Sequence, residues 1–201
     1  MKLLWLSTLF PLLMGELDAL TEQQILEHLY HNLNGDNWLT SWDLTEDPCT
    51  YSGVVCANSK VVEIDLSDNN LVGSITPHLY SLQNLQRVYF SKNEINNAGW
   101  DRIDELGNDG SIAPLKVLDL TSNRIHSLEG VEHLKATLTE LHLTFNNLKS
   151  WQDELFALSE LQVLAISENE IGGKIDKRLT ELANLKELYC YGNELTGTLR
   201  E

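Results

Sequence analysis

An eleven-residue pattern of hydrophobic and polar positions occurs six times between Val61 and Leu195. Hydrophobic residues occupy its positions 1, 4, 6 and 11, and asparagine occupies position 9 in every copy. The copies read VVEIDLSDNNL, LQRVYFSKNEI, LKVLDLTSNRI, LTELHLTFNNL, LQVLAISENEI and LKELYCYGNEL, and they begin 24, 30, 23, 23 and 24 residues apart. A pattern kept in register over so many copies indicates a stack of similar units, each burying its hydrophobic face against its neighbours.

The alternation around positions 4 to 7 predicts a short strand in each copy. We therefore predict an α/β solenoid, a right-handed superhelix whose parallel strands line the concave side and whose leucines point inward. The asparagines are predicted to point inward too, because their amides would satisfy backbone groups left unpaired where each strand turns the corner. They are Asn69, Asn93, Asn123, Asn146, Asn169 and Asn193.

The segment before the first copy predicts a helical cap. A capping-box pattern at Thr21–Gln24 precedes a hydrophobic stripe at helical spacing over Ile25–Leu33, and Asn34–Gly35 ends the helix. Trp38 and Trp42 follow, and we interpret them as packing residues of a cover over the exposed face of the first repeat.

The N-terminus has the pattern of a secretory signal peptide. Lys2 precedes an apolar run over Leu3–Met14, and polarity returns at Glu16. An uncleaved anchor is the alternative. No later stretch reaches the roughly 18 apolar residues of a membrane span, so we expect a secreted, extracellular or cell-surface protein.

These boundaries give the predicted domain organisation. It consists of a signal peptide (1–19), an N-terminal cap (20–60) and six repeats at 61–84, 85–114 with an insertion, 115–137, 138–160, 161–184 and 185–201, the last incomplete. No C-terminal cap is evident. Either the chain is a fragment of a longer protein, or self-association through the uncapped C-terminal edge covers it.

Charge and cysteines restrict the environment and the partners. The formal net charge of −16 argues against nucleic acid and against anionic membranes, which both need a basic surface. Cys49 and Cys56 are close in sequence and lie outside the repeats, so an oxidising compartment would join them in a disulfide. Cys190 occupies an inward position of the last repeat and is expected to be a buried free thiol.

The cap segment LNGDNWLTSWDLTEDPCTYSGVVC resembles the N-terminal cap of plant-type extracellular leucine-rich-repeat proteins. These include polygalacturonase-inhibiting proteins, receptor ectodomains and surface proteins of protists and algae. The segment NNLVGSITPHLYSLQNLQ is similar to the plant-type repeat, and NEIGGKI and NELTGTL share its second half. Repeats three and four (SNRIHSLEGVEHL and FNNLKSWQDELFAL) lack that motif, and Tyr51 stands where the cap usually has tryptophan. The resemblance implies extracellular recognition, defence or inhibition of a foreign hydrolase.

The outward strand positions hold the candidate ligand-binding residues. Aromatic side chains among acids are typical of interaction hot spots. The candidates are Asp65, Arg87, Tyr89, Asp119, Glu140, His142, Phe145, Tyr189 and Tyr191. A second set of outward positions forms a ladder of small hydroxyls, a pattern also found on ice-binding surfaces.

The long second repeat carries an insertion over 96–114. The default interpretation is a simple helix or bulge on the convex side. Because insertions in repeat proteins often form binding loops, Trp100, which is expected to be exposed, and Asp101 are a second candidate contact. The stretch NDGS lacks the alternating acids of a calcium loop.

No motif predicts catalysis, a cofactor or a metal. There is no G-x-S-x-G motif, no phosphate-binding glycine loop and no zinc-ligand spacing. Asp65 and Asp119 would lie about 10 Å apart, two strands away from each other, but an open face gives neither carboxylate the apolar surroundings that a glycosidase pair needs. His28 and His31 are interpreted as solvated helix residues.

We therefore predict a non-enzymatic binding module. Its concave face would recognise a protein or peptide ligand, or a glycan, by shape and charge complementarity. The alternatives are a structural surface or adhesion protein and an ice-binding protein.

Overall fold

The computed structural model describes residues 20–106 and 112–197, so the predicted signal segment and the NDGS stretch lie outside the described residues. The chain begins there with helix α1, Glu22–Asn32. The hydroxyl of Thr21 accepts a hydrogen bond from the Gln24 amide, and the Gln24 side chain accepts one from the Thr21 amide, so the predicted capping box is confirmed. Among the described residues, no helix has the length and hydrophobicity needed to span a membrane.

Eleven short strands follow in the described part of the chain. They are β1 (Val54–Ala57), β2 (Lys60–Asp65), β3 (Val72–Ser74), β4 (Arg87–Tyr89), β5 (Glu94–Asn97), β6 (Val117–Asp119), β7 (Glu140–His142), β8 (Val163–Ala165), β9 (Gly172–Lys174), β10 (Glu187–Tyr189) and β11 (Glu194–Thr196). The main sheet has the order β1-β2-β4-β6-β7-β8-β10. Every pair in it is parallel except β1–β2, so the predicted parallel sheet of an α/β solenoid is confirmed.

A second, interrupted sheet lies on the returning half of the repeats. β3 pairs with β5, and β9 pairs with β11, both in parallel. Repeats three and four contribute no strand between these pairs, in line with their lack of the plant-type motif. There the Gln152 side chain replaces strand pairing, because its amide donates to the His126 carbonyl at 3.3 Å and accepts from the Leu128 N–H at 2.7 Å. Trp151 Nε1 similarly donates to the Lys174 carbonyl of β9 at 3.1 Å.

Short 3-10 helices complete the repeats and the cap. They are Gly35–Asn37, Pro48–Thr50, Pro77–Ser81, Trp100–Leu106, Val131–Leu134, Asp153–Ala157 and Lys177–Glu181. The hydrophobic positions of the repeats face inward between them and the main sheet, and Leu118, Leu120, Leu141 and Leu143 are fully buried.

The asparagines form a ladder along the inside of the corner, as predicted. Asn146 Nδ2 donates to the carbonyl of Leu143 in its own repeat at 3.1 Å and to that of Leu120 in the preceding repeat at 2.9 Å. Its Oδ1 accepts from the Ile125 N–H at 2.8 Å. Asn123 and Asn169 repeat this arrangement. Each corner carbonyl between them is therefore shared by two asparagines, which explains why buried amides are tolerated.

The cap closes one end of the solenoid with packed aromatic rings. Trp42 lies 5.0 Å from Trp38 and 4.9 Å from Tyr51 between ring centroids. Both indoles are buried and donate to backbone carbonyls, Trp38 to Leu33 and Trp42 to Ser52. The prediction that the tryptophans pack as a cover is confirmed. The Cys49–Cys56 disulfide is also confirmed.

The insertion in repeat two corrects one prediction. Trp100 is 1% exposed, so its interpretation as an exposed ligand contact is wrong. It begins a 3-10 helix, and Ala98 and Ile103 beside it are buried as well. Gly130, at φ 87°, packs so closely that a Cβ there would lie 2.3 Å from the Trp100 carbonyl oxygen. The described part of the insertion thus contains a helix, as the default interpretation predicted, and it buries hydrophobic side chains.

The last repeat corrects a second prediction. Cys190 is half-buried and has a free thiol, whereas a fully buried thiol was expected. Leu185, Leu188 and Leu195 are half-buried too, because no strand lies on the outer side of β10 in the described part of the chain. Self-association through this edge stays a prediction.

Candidate functional site

The register of the main sheet places the outward side chains in columns on the concave face. Column one holds Glu63, Arg87, Val117, Glu140, Val163 and Glu187, and column two holds Asp65, Tyr89, Asp119, His142, Ala165 and Tyr189. Column three, which follows the strands, holds Ser67, Ser91, Thr121, Thr144, Ser167 and Tyr191. Eight of the nine predicted concave-face residues therefore lie in these columns and the ninth, Phe145, lies at a strand exit, while Trp100 and Asp101 lie in the insertion.

The residues at the strand exits form column four, and all adopt positive φ. They are Asp68, Lys92, Ser122, Phe145, Glu168 and Gly192. Phe145, at φ 55°, is the bulky member of this set, and its side chain is 54% exposed. A left-handed backbone is unfavourable for a large residue, and an exposed ring adds little to the core. Folding therefore gives no reason for phenylalanine at this position.

The first half of the face has mixed charge. Arg87 Nε pairs with Glu63 Oε2 on the neighbouring strand at 2.5 Å, and this hydrogen bond raises the pKa of Arg87. Burial raises the pKa of the adjacent Tyr89, and the Glu63 carboxylate adds to that effect. Asp65 and Asp119 accept hydrogen bonds from backbone amides two residues on, so both carboxylates help to close the strand exits.

The second half of the face is aromatic and acidic. Tyr189 is 47% exposed and Tyr191 is 63% exposed. The Tyr189 hydroxyl donates to Glu187 Oε2 at 2.6 Å, which raises the pKa of Tyr189 and orients its ring. On β7, His142 Nε2 lies 3.6 Å from Glu140 Oε2.

Two small residues between these aromatic groups were not among the ligand-binding residues predicted from the sequence. Ala165 in column two is 7% exposed, and Ser167 in column three is fully buried, although both occupy outward positions. Among the described residues, the Ser167 hydroxyl has no hydrogen-bond partner. The signal available in the sequence was the drop in side-chain size at Ala165 in column two, since column three also holds serine at Ser67 and Ser91. Most of the remaining column-three hydroxyls are half-buried and lie beside charged columns. Little flat hydroxyl surface is therefore left for binding ice.

A second concavity lies on the lateral side, where repeats three and four lack a second-sheet strand. It has a volume of about 530 Å³ and is lined by Arg124, His126, Asn147, Lys149, Ser150, Gln152 and Glu170. Arg124 and Lys149 pair with acids of neighbouring repeats, Glu94 at 3.0 Å and Glu170 at 3.9 Å. Across the described ranges, no group of three or more potential metal ligands occurs.

Three family models match the chain. The model described as Leucine rich repeat N-terminal domain matches residues 19–57. The model described as Leucine Rich Repeat matches 60–82, and a further Leucine rich repeat model matches 136–195.

Two curated relatives come from Arabidopsis thaliana. Protein BRASSINOSTEROID INSENSITIVE 1 is 30% identical over 189 residues, which cover 80% of this chain and 16% of the relative. Serine/threonine-protein kinase BRI1-like 1 is 32% identical over 169 residues, which cover 80% of this chain and 14% of the relative. The chain thus spans less than a fifth of the length of either relative.

Solved structures share the fold. The BIR2 ectodomain from Arabidopsis thaliana has a TM-score of 0.66 and 21% identity, covering 87% of this chain and 93% of that one. The SOBIR1 ectodomain from the same plant has a TM-score of 0.64 and 24% identity, covering 86% and 92%. The plant peptide hormone receptor RGFR1, solved in complex with RGF2, has a TM-score of 0.56 and 26% identity, covering 69% and 22%. The chain therefore belongs to the leucine-rich-repeat family and is similar to plant-type extracellular leucine-rich-repeat proteins, although its repeats three and four lack the plant-type motif.

Proposed function

We propose that this protein is a non-catalytic binding module, secreted or held at the cell surface, whose concave face binds a peptide or an extended segment of a protein. The observation that carries the proposal is the exposure of Phe145, Tyr189 and Tyr191 on one half of that face. A large aromatic side chain buries about 150–250 Å² when covered. Three such rings on one open surface are therefore a strong source of binding energy for a partner.

Two further observations support the proposal. RGFR1, similar in fold and 26% identical, was solved with RGF2 bound. The Cys49–Cys56 disulfide is of a kind that persists in oxidising compartments, which favours an extracellular location. The acids of the face favour a ligand segment with positive charge.

Selection from a displayed random-peptide library tests the proposal. Peptides that bind the chain would be synthesised and their dissociation constants measured by calorimetry. In a triple variant, Phe145→Ala, Tyr189→Ala and Tyr191→Ala, we expect affinity to fall by at least about a hundredfold, since loss of hot-spot aromatic residues commonly costs 2 kcal/mol or more each.

A matched control carries three substitutions of exposed residues outside the four columns, Lys135→Ala, Glu160→Ala and Glu181→Ala. It should bind like the unmodified chain. Equal affinity of the aromatic triple variant and the unmodified chain would refute the concave face as the binding site.

A further inference from the structure

The small outward side chains of β8 lie between the larger ones of β7 and β10, and we refer to this strip of the concave face as the slot. Ala165 is paired in register with His142 on one side and with Tyr189 on the other. Ser167 follows it in the next column, fully buried and with an unpartnered hydroxyl.

Aromatic side chains flank the slot. Phe145 lies on the β7 side, and Tyr189 and Tyr191 lie on the β10 side. These three rings make no ring contact with any aromatic residue that the structure describes. Columns on β7 and β10 are two strand spacings, about 10 Å, apart. A planar ligand group between two rings, at about 3.5–4 Å from each, needs a ring-to-ring distance of about 7–8 Å, which fits within that spacing.

Carboxylates lie at both ends of the slot. Glu140 and Glu187 occupy column one on the two flanking strands. At the other end, a Cβ on Gly192 would lie 2.5 Å from the carboxyl carbon of Glu168, so the missing side chain of Gly192 makes room for that carboxylate. The outward positions of β7, β8, β10 and their exits carry these three acids and neither lysine nor arginine.

We propose that this slot, resting on the proposed function of the concave face, binds the guanidinium of an arginine in the ligand. A guanidinium is planar, stacks on aromatic rings and donates to carboxylates. A lysine ammonium lacks the planar shape, and an apolar side chain would leave the acids without partners.

An NMR titration of the chain with small probes tests the slot directly. The probes are N-acetyl-arginine methylamide and its uncharged analogue of similar shape, N-acetyl-citrulline methylamide. The arginine probe should shift the amide signals of Phe145, Ser167 and Tyr191. The citrulline probe should bind at least about tenfold more weakly, because it loses both the cation–π contact and the charge-assisted hydrogen bonds. Equal binding of both probes, or no shift at these amides, would overturn the proposal.

Ala165→Leu fills the slot and should abolish binding of the arginine probe. Ser91→Leu, in column three of the same face but outside the slot, is the control and should bind the probe normally. Circular dichroism establishes that both variants are folded, and the citrulline comparison needs no variant. If library-selected peptides bind the concave face while arginine-to-citrulline exchange leaves their affinity unchanged, the slot assignment is wrong and the proposed function stands.

Discussion

Replacing Asn146 with leucine should lower the free energy of unfolding. The size of the loss depends on which backbone groups are left without a hydrogen-bond partner. The carbonyls of Leu120 and Leu143 each keep a second asparagine, Asn123 and Asn169 respectively. The Ile125 N–H, by contrast, loses its sole acceptor in a buried corner. One orphaned buried N–H costs about 1–3 kcal/mol and two weakened bonds about 0.5–1.5 kcal/mol each. The variant should therefore lose about 2–6 kcal/mol.

Urea unfolding followed by circular dichroism measures this loss. The matched control is Asn193→Leu, since Asn193 makes the same contacts with Ile171, Ile166 and Cys190 but is half-exposed. Water replaces its hydrogen bonds, so its cost should be about 1 kcal/mol or less. A change below about 0.5 kcal/mol for Asn146→Leu, or equal losses in both variants, would refute the role of the ladder.

Further predictions concern other parts of the chain. Phe145→Asn should raise the free energy of unfolding, measured by urea titration, by about 0.5–1 kcal/mol, because asparagine tolerates the left-handed backbone. The same substitution should weaken the binding of selected peptides, measured by calorimetry. Burial raises the pKa of Tyr80, so the native chain keeps a proton that the unfolded chain releases near pH 10, and stability should fall as the pH rises above about 10. Tyr80→Phe should make that decline shallower in urea titrations between about pH 8 and 11. Replacing both Cys49 and Cys56 with serine should cost about 2–3 kcal/mol by loop entropy, measured as a lower urea midpoint under non-reducing conditions.

Much of the fold was predictable because it depends on residue periodicity. The columns of the concave face follow from strand alternation, and the asparagine ladder follows from the need to satisfy backbone groups at each corner. The disulfide was predictable from the position of its cysteines. Such features are local to a repeat and recur along the chain.

Features that depend on neighbouring repeats were harder to predict. Trp100 was expected on the surface because insertions in repeat proteins often form binding loops, yet the packing of Gly130 against its backbone shows how tightly the insertion is held. Cys190 has the same pattern position as buried residues, but in the part of the chain that the structure describes no strand covers it. The slot over Ala165 and Ser167 arises from the difference in size between adjacent repeats, which no single repeat reveals.

The interruption of the second sheet has a consequence for the shape of the molecule. At β3–β5 and β9–β11, backbone pairing between strands fixes the distance between the outer segments of successive repeats. In between, single backbone hydrogen bonds such as that from the Asn147 N–H to the Ile125 carbonyl are supplemented by the side chains of Gln152 and Trp151. We expect a substitution at either position to change the spacing on the outer side while leaving the main sheet intact, so these two side chains would contribute to the curvature of the solenoid and to the width of its concave opening.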